Sequence, residues 1–179
     1  MAPAKRVKRT IIQASFQKNI VRGYHVTEMS APRKPHDVFL ALVNGLCDGQ
    51  FDDVLKLYAE KTDISHPFDP LRGHRLTSRA ELAEHFSRRP VRKTLEARPS
   101  NIKIHETGDP EVIVAEFAYA GTNLETGAGF SYPCIFVMRV RDGEIVESRD
   151  YVDHLGSAEA RDGLAALLAE IGKRRLINV

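Results

Sequence analysis

The chain has 179 residues, of which 42% are hydrophobic and 28% are charged, and its formal net charge is +2. This composition predicts one globular domain with room for a core, and no internal repeat or low-complexity tract interrupts it. No apolar run approaches the roughly 20 residues that a membrane-spanning helix needs. We therefore expect no membrane association and a cytoplasmic location.

The charges are distributed unevenly along the chain. Residues 1–34 hold eight Lys and Arg and one acid, Glu28, whereas the remaining residues hold 18 bases and 23 acids. We predict a basic, weakly ordered N-terminal arm at 1–34 and a single domain at 35–179. The acidic domain argues against nucleic acid as a partner of the folded body, because phosphate contacts need clustered Lys and Arg. The arm itself is basic enough to touch an anionic surface.

Sequence motifs for metal and cofactor binding are missing. Cys47 and Cys134 lie far apart, without a C-x-x-C motif, and each has apolar neighbours in the sequence. This pattern predicts buried, reduced thiols of a cytoplasmic protein. The seven histidines lack the spacing of zinc ligands, and neither a P-loop nor a dinucleotide fingerprint occurs. We predict no metal and no cofactor.

Hydrophobic spacing predicts two helices at the start of the domain. The first begins near Asp37, ends at Asp48-Gly49 and places four apolar residues on one face. That face consists of Val38, Leu42, Val43 and Leu46. A second helix is predicted over 51–58, since its apolar residues recur at i, i+3, i+4 and i+7. The short turn between the two helices favours a helical hairpin.

A capping box predicts the start of a third helix. Ser78 is the expected N-cap, and Glu81 lies where its side chain can reach back to the start of the helix. Leu82 and Phe86 give this helix its apolar side, and Pro90 marks its expected end.

Alternating and apolar runs predict the strands. A short strand is expected at 62–68, and four longer ones follow at 94–106, 112–122, 129–141 and 144–152. Asp142-Gly143 is a strong hairpin signal between the last two. Short turns between consecutive strands predict an antiparallel meander. A final helix is expected at about 157–173, with Ser157 as its N-cap.

Helices followed by a run of strands indicate an α+β fold. Long antiparallel strands twist, so we expect a cone-shaped curved sheet wrapped around the N-terminal helices, with a ligand pocket at its open mouth. The segment Ile135-Phe136-Val137-Met138 is apolar on both faces of its strand, so both faces should be covered. The C-terminal helix or a second subunit would cover the outer face, and we predict a homodimer through the sheet.

The last strand carries the best candidate for chemistry, Asp150. A period of two places Val146, Ser148, Asp150 and Val152 on one face of the strand. A carboxyl group among apolar side chains keeps its proton more readily and can act as a general acid or base near neutral pH. Proton transfer next to a carbonyl group fits a short chain without cofactor motifs.

Three stretches carry a family resemblance, in a consistent order. They are Asp48-Gly-Gln-Phe-Asp-Asp-Val-Leu-Lys-Leu-Tyr58, Ser78-Arg-Ala-Glu-Leu-Ala-Glu-His-Phe86 and Asp142-Gly-Glu-Ile-Val-Glu-Ser-Arg-Asp-Tyr-Val-Asp153. With these motifs the chain resembles the nuclear transport factor 2-like superfamily, and most closely its SnoaL-like polyketide cyclases and ketosteroid isomerases. The resemblance implies the cone fold, and it also implies an isomerase, cyclase or lyase acting on a small hydrophobic carbonyl compound.

The resemblance assigns roles to single residues. Asp150 falls where SnoaL-like cyclases keep an acid/base aspartate, and His66 falls where ketosteroid isomerases keep their general base. Leu42 and Phe136 stand in place of the oxyanion-hole residues of those isomerases, so their mechanism is not expected here.

Five further residues are candidates for binding the substrate, and each has a plainer explanation. They are Asp69, His74, Phe86, Tyr119 and Tyr132. The first two lie where turn chemistry alone would explain them, and aromatic side chains in strands often belong to the core. Asp153 and His154 end the last predicted strand, where they could join a polar cluster at the mouth.

Two other functions stay open. One is a non-catalytic domain that binds a small ligand or another protein. The other is an epoxide hydrolase, which is disfavoured because the adjacent Arg149 and Asp150 should point to opposite faces of their strand.

Overall fold

A computed structural model describes residues 32–73, 75–88 and 94–177 of the chain. All of these residues belong to the unit Ala31–Val179. The predicted arm at 1–34 lies outside the described residues except for its last three positions, so the prediction about its order stays a prediction.

Three helices form the N-terminal part of the domain. Helix α1 spans Pro35–Asp48, α2 spans Phe51–Leu55 and α3 spans Arg79–Ser87. The predicted apolar face of α1 is confirmed, since Val38, Leu42 and Val43 are fully or almost fully buried. The helix ends at Gly49, whose positive φ of 73° lets its N–H donate to the carbonyl of Gly45.

Six strands form one sheet in the order β2-β1-β6-β5-β4-β3. Their bounds are β1 Tyr58–Ser65, β2 Leu76–Ser78, β3 Leu95–Glu106, β4 Val112–Asn123, β5 Gly129–Arg141 and β6 Glu144–Val152. The four long strands were predicted to within one residue at every end. The sheet is curved and unclosed, which confirms the α+β cone.

The hairpin between β5 and β6 turns where the sequence predicted. Asp142 has a φ of 52° and Gly143 a φ of 81°, as a type I′ turn requires. Both positive angles match the right-handed twist of the two strands, so this turn fixes the register that brings Asp150 beside Phe136.

The predicted second helix is too long. Helix α2 ends at Leu55, and Tyr58 begins β1 instead of completing the helical pattern. Tyr58 pairs with Ile145 of β6 and is 3% exposed. Its pairing and burial in the sheet therefore decide its conformation, and the local helical periodicity does not. The short strand predicted at 62–68 consequently begins earlier and ends at Ser65, before Pro67.

The prediction of a wholly antiparallel sheet is also wrong. Strand β1 runs parallel to β6, and their pairs include Ile64 with Ser148 and Ser65 with Arg149. The chain between these strands, which includes β2, α3 and the strands β3 to β5, returns to the same end of the sheet, as parallel pairing requires.

The prediction that Val146 shares a face of β6 with Ser148 and Asp150 is wrong, because the strand contains a bulge. Val140 pairs with Ile145, whereas Arg139 pairs with Glu147, so one extra residue lies in β6 at this point. The bulge places Ile145, which is fully buried, on the inner face instead of the half-buried Val146. Beyond the bulge the prediction holds, and Ser148 and Asp150 face inward.

The single C-terminal helix predicted at 157–173 is in fact two helices. Helix α4 spans His154–Ala160 and α5 spans Leu164–Ile177. Asp153, not Ser157, is the N-cap of α4, and its carboxylate accepts a hydrogen bond from the N–H of Gly156 at 2.9 Å. Asp162, with a φ of 56°, separates the two helices.

The capping box at α3 is confirmed in part. The hydroxyl of Ser78 accepts from the N–H of Glu81 at 3.2 Å. The carboxylate of Glu81 accepts from the N–H of Thr77, one residue before the N-cap, at 2.6 Å. Two backbone donors at the start of the helix are thus satisfied.

Aromatic side chains fill the space between α1 and the sheet. Phe39 of α1 makes edge contacts with Phe117 of β4 and Phe136 of β5, at centroid distances of 5.3 and 6.3 Å. Phe117 and Phe136 also contact each other at 5.0 Å. The inner face of β4 and β5 is therefore filled by side chains where α1 packs on it. In the described part of the chain, no helix has the length and apolar character to cross a membrane.

Candidate functional site

Asp150 lies on the inner face of β6, surrounded by apolar side chains. It pairs with Phe136 of β5, and Ser148 two residues earlier pairs with Met138. Only 6% of Asp150 is exposed, although Asp is rarely buried to this degree without a charged partner. The alternation of β6 after its bulge forces this position inward.

Burial raises the pKa of Asp150 from its ordinary value of 3.8 to about 7. The Ser148 hydroxyl donates a hydrogen bond to Oδ1 of Asp150 and acts in the opposite direction, because it stabilises the carboxylate. At neutral pH both the acid and the carboxylate are populated. Such a group can take up a proton or release one.

His66 follows the last residue of β1. The last pair of β1 with β6 is Ser65 with Arg149, in parallel register, so His66 lies one position beyond this pairing. The ring of His66 also makes an edge contact with His154, at a centroid distance of 5.9 Å. Of the two residues that the sequence singled out, one thus follows β1 directly and the other lies on the adjacent strand β6.

Tyr119 and Tyr132 lie side by side on the inner faces of β4 and β5. They are paired in register, their rings are 5.7 Å apart, and only 8% and 5% of each is exposed. Burial is the main reason that the pKa of Tyr119 lies well above 10, and the nearby Cys47, Cys134 and Asp150 raise it further. The phenol of Tyr119 therefore stays protonated and can serve as a hydrogen-bond donor.

Cys134 occupies the inner face of β5 between Tyr132 and Phe136. Burial raises the pKa of its thiol to about 12, and the carboxylates of Asp150 and Asp153 add to the effect. A thiol with this pKa is not a nucleophile at neutral pH. Cys47 and Cys134 are both buried and not joined in a disulfide, as predicted.

A large groove opens at the end of β5 and β6, between these strands, the 68–72 loop and α5. Its volume is about 1350 Å³. Its lining includes Phe68, Asp69, Arg72, Pro133, Cys134, Ile135, Tyr151, Val152, His154, Leu155, Leu168 and Ile171. Asp150 is not among the lining residues. Ile135 and Tyr151 line the groove and alternate with the inward-facing Phe136 and Asp150, so this part of the groove lies on the opposite face of the sheet from the Asp150 side chain.

Exposed apolar side chains are concentrated around this groove. Phe68, Ile135, Leu155 and Leu168 are 69%, 42%, 48% and 53% exposed, and all four line it. Phe68 also contacts the ring of Tyr151 at 5.1 Å. A concave apolar surface of this kind is typical of a site for a small molecule or for another protein.

The other predicted binding residues have different surroundings. Asp69 lines the groove, but its carboxylate accepts hydrogen bonds from the N–H groups of Leu71 and Gly73, at 2.9 and 2.7 Å. Phe86 is buried and stacks on Phe51 at 5.5 Å, within the core beside α3. His74 lies outside the described residues. The roles predicted for these residues in binding stay predictions.

Sequence reasoning did not assign a role to Ser148 or place Cys134 at the site. Ser148 could have been found, because it lies two residues before Asp150 on the same face. No sequence signal identified Cys134, because its position at the site depends on pairing with Val152 across the hairpin. Within 32–73, 75–88 and 94–177, no three His, Cys, Asp or Glu side chains lie together as metal ligands would.

Comparison with known protein families gives one match that covers most of the domain. Residues 39–148 match the sequence profile of the SnoaL-like domain. An uncharacterized PhzA/B-like protein of Pseudomonas aeruginosa is 33% identical over 72 residues, which are 40% of this chain and 51% of that protein. The chain spans about half the length of the curated relatives that it matches.

Solved structures share the fold. A crystal structure described as "Putative Isomerase from Bacillus subtilis" aligns with a TM-score of 0.62 and 23% identity, over 72% of this chain and 92% of that one. A protein of Catenulispora acidiphila with a ketosteroid isomerase-like fold aligns with a TM-score of 0.56 and 16% identity, over 73% of this chain and 95% of that one. At these identities the likeness concerns the fold, and any activity has to be argued from the site.

Proposed function

Because this chain belongs to the SnoaL-like domain family, we propose that it is a cofactor-independent enzyme of the isomerase, cyclase or lyase type. Its substrate is a small hydrophobic carbonyl compound that binds on the inner face of the sheet, where Asp150 lies. Asp150 is the acid/base residue. The observation that supports this proposal is a buried carboxyl group whose pKa, at about 7, matches the task of proton transfer at neutral pH.

The proposed reaction begins with proton removal. A carboxylate oxygen of Asp150 takes a proton from a carbon next to the substrate carbonyl, and the C–H electron pair moves toward that carbonyl to form an enolate. Asp150, now a carboxylic acid, returns the proton to another carbon in an isomerisation. In a cyclisation the enolate carbon attacks a second carbonyl of the same molecule, and the alkoxide that forms takes the proton from Asp150. In an elimination the enolate expels a leaving group, which takes that proton.

His66 is proposed to assist Asp150. It directly follows β1, which pairs with the strand that carries Asp150, and an imidazole titrates near neutral pH, so it could hold or pass on a proton. The Ser148 hydroxyl fixes one carboxylate oxygen of Asp150 and leaves the other oxygen to meet the substrate.

Solvent deuterium exchange tests this proposal without knowledge of the natural substrate. A suitable probe is 2-tetralone, a small hydrophobic ketone with acidic C–H bonds, and NMR follows the loss of its α-proton signal in D₂O. The full-length chain should accelerate exchange above the buffer rate. Asp150→Asn should lower the accelerated rate by about 10²- to 10⁴-fold, the usual contribution of a positioned base.

Asp52→Asn is the matched control, because Asp52 is an exposed carboxylate on α2. It should exchange the probe as the wild type does. Both variants should show the wild-type circular dichroism spectrum. If Asp150→Asn keeps the wild-type exchange rate, Asp150 is not the base and the assignment is wrong.

A second candidate function is a non-catalytic binding domain. The apolar groove favours this second function, because the groove lining holds several exposed hydrophobic side chains and does not include Asp150. In that case 2-tetralone would bind, as seen by its NMR line broadening, while its exchange rate would stay at the buffer value.

We do not propose epoxide hydrolysis through an Arg–Asp pair. Arg149 is exposed on the outer face of β6, whereas Asp150 is buried on the inner face. The two side chains therefore cannot act on one bound epoxide.

We propose a cytoplasmic location and a homodimer as the working form. The two reduced cysteines support the first proposal, because a reducing compartment preserves thiols. The exposed apolar side chains on the outer side of the sheet support the second.

A further inference from the structure

Helix α4 lies across the inner side of the sheet at the end where β1, β4 and β6 finish and β5 begins. We call this end the mouth. A Cβ atom added to Gly156 of α4 would lie 3.0 Å from Cβ of Tyr132, a buried residue on the inner face of β5. The carbonyl of Ala160, at the end of α4, accepts a hydrogen bond from the side-chain amide of the buried Asn123 at 2.9 Å. The helix thus contacts β5 and β4 at the mouth.

The acid/base candidate Asp150 lies near the start of this helix. It is 6% exposed and does not line the groove, so a substrate can reach it only after part of the structure has moved. Cys134, on the inner face of β5, is close both to Asp150 and to Asp153, because both carboxylates raise the pKa of its thiol in addition to burial. Asp153 is the N-cap of α4. Movement of α4 would therefore uncover the Cys134 thiol beside Asp150.

Helix α4 is held less firmly than the other helix on the inner face. Six residues of α1 are buried, among them Val38, Phe39 and Leu42, whereas α4 has one buried residue, Ala160. Segments with few buried apolar side chains separate from the rest of a protein at a lower free energy than core elements do. We therefore expect α4 to move while α1 stays in place.

The ends of α4 allow it to move as one unit. The carboxylate of Asp153 accepts from the N–H of Gly156 at 2.9 Å, and the N–H of Gly163 donates to the carbonyl of Ala158 at 2.8 Å. Asp162, with a φ of 56°, turns the chain between α4 and α5. These hydrogen bonds lie within the helix and its flanking turns, so they persist when it rotates. Asp153 and Asp162 are thus suitable hinge positions.

The closed position of α4 carries a cost at His154, its first residue. The ring of His154 contacts His66, and its Nε2 is buried without a hydrogen-bond partner among the described residues. A buried polar atom that is not hydrogen-bonded costs free energy, and water can satisfy it once the helix has moved. This cost brings the closed and open positions closer in free energy.

We propose that α4 is a lid that rotates away from the mouth and so admits the substrate to the inner face at Asp150. A small hydrophobic compound enters between α4 and Tyr132, and the returning helix excludes water from the carboxyl group. The inference rests on the proposed function for what the ligand meets there. The movement itself can be measured without a substrate.

The experiment measures the rate at which N-ethylmaleimide alkylates Cys134 in the full-length chain, with the modified peptides resolved by mass spectrometry. A buried thiol reacts when the segment that covers it opens. Gly156→Ala should push α4 off Tyr132 and raise this rate by about tenfold to a hundredfold, as for overpacking of a close contact. Ala favours a helix more than Gly does, so this variant does not act by weakening α4 itself.

Two controls separate lid movement from general loosening. Gly172→Ala changes a glycine of α5 whose added Cβ meets nothing within 4 Å, and it should leave the Cys134 rate at the wild-type value. Cys47, buried on α1, reports on the core in the same molecules, and its rate should stay constant in Gly156→Ala. An unchanged Cys134 rate in Gly156→Ala, an equal rise in Gly172→Ala, or a parallel rise at Cys47 would overturn the lid.

A disulfide across the same contact tests the lid in the opposite direction. Tyr132→Cys together with Gly156→Cys places two Cβ atoms close to the roughly 3.8 Å that disulfides prefer. Oxidised glutathione forms the bond, and peptide mapping verifies it. The oxidised form should alkylate Cys134 at least about tenfold more slowly than the reduced form. Its deuterium exchange into 2-tetralone should fall in parallel, and reduction should restore both rates. Equal Cys134 rates in the two forms would contradict the lid.

Failure of the lid is distinct from failure of the proposed function, because alkylation of Cys134 does not depend on catalysis. Retained deuterium exchange in Asp150→Asn would overturn the acid/base role, while the expected alkylation rates would still establish the lid. Lost exchange in Asp150→Asn together with an unchanged Cys134 rate in Gly156→Ala would overturn the lid alone.

Discussion

At the scale of the residue, Asp150 has opposite effects on function and on stability. Its buried position gives the carboxyl group a pKa of about 7, which suits proton transfer. The same burial disfavours the charged form, and only Ser148 donates a hydrogen bond to it among the described residues. Groups retained at a cost in stability are often found at functional sites.

The raised pKa of Asp150 predicts how stability changes with pH. In the folded state this group holds its proton up to about pH 7, whereas in the unfolded chain it releases the proton near its ordinary value of 3.8. Between these values the folded state binds more protons, so the free energy of unfolding should fall as pH rises through the window and should level off above it.

The expected loss from Asp150 is on the order of 2 to 4 kcal/mol between pH 4 and pH 8. Asp150→Asn cannot titrate, so it should be more stable than the wild type at pH 8, and its advantage should shrink toward pH 4. Urea unfolding at several pH values measures this difference. Asp52→Asn should follow the wild-type curve. An advantage of Asp150→Asn that does not change with pH would contradict the raised pKa.

At the scale of the element, the strands β3 and β4 approach each other closely at Gly121, two residues after Tyr119. Ala97 pairs with Gly121, and a Cβ atom added to Gly121 would lie 1.8 Å from the carbonyl oxygen of Glu96. No side chain can be accommodated against a backbone at that distance without moving one strand away from the other.

Gly121→Ala should therefore destabilise the fold by about 2 to 4 kcal/mol, since the clash is with backbone instead of a movable side chain. Thermal unfolding followed by circular dichroism measures the loss. Gly108→Ala, in the turn between the same two strands, is the control, because an added Cβ there meets nothing within 4 Å. Equal melting temperatures for the two variants would show that β3 and β4 can separate at no cost.

Asn123 links the sheet to the C-terminal helices at the other end of β4. Its side-chain carbonyl accepts from the N–H groups of Glu125 and Thr126, and its amide donates to the carbonyl of Ala160 at 2.9 Å. One buried side chain thus shapes the turn between β4 and β5 and holds α4 near the mouth of the groove.

At the scale of the whole molecule, the outer side of the sheet predicts self-association. Ile135 faces away from the core, is 42% exposed and lines the groove that α5 borders. We propose that a second copy covers this surface. Ile135→Asp should shift the protein from dimer to monomer, because a charge would be buried without a partner.

Sedimentation velocity or light scattering after size exclusion measures this change in mass. Ile102→Asp is the control, since Ile102 is a comparably exposed apolar residue on the edge strand β3. It should leave the oligomeric state unchanged. A wild type that is monomeric at micromolar concentration, or an Ile135→Asp variant that remains dimeric, would contradict the proposed interface.

Local sequence signals determined much of this fold. Alternation and turn residues placed four long strands, because side-chain period and Asp142-Gly143 act within a few residues. The same signals misplaced Tyr58, the face of Val146 and the cap at Ser157. Each of these errors occurs where a partner distant in sequence, or a bulge, overrides the local preference.

The sequence by itself determined which strand of the α+β cone carries Asp150 and that Ser148 shares its face, since alternation and hairpin register are local properties. Only the tertiary structure decided how deeply Asp150 is buried, and hence its raised pKa, because desolvation depends on side chains from several strands. Tertiary structure also decided that residues of β5, β6 and α5 line one groove, and that the Tyr119 hydroxyl lacks a partner among the described residues. Those contacts join β4, β5 and β6, and no short stretch of sequence contains them.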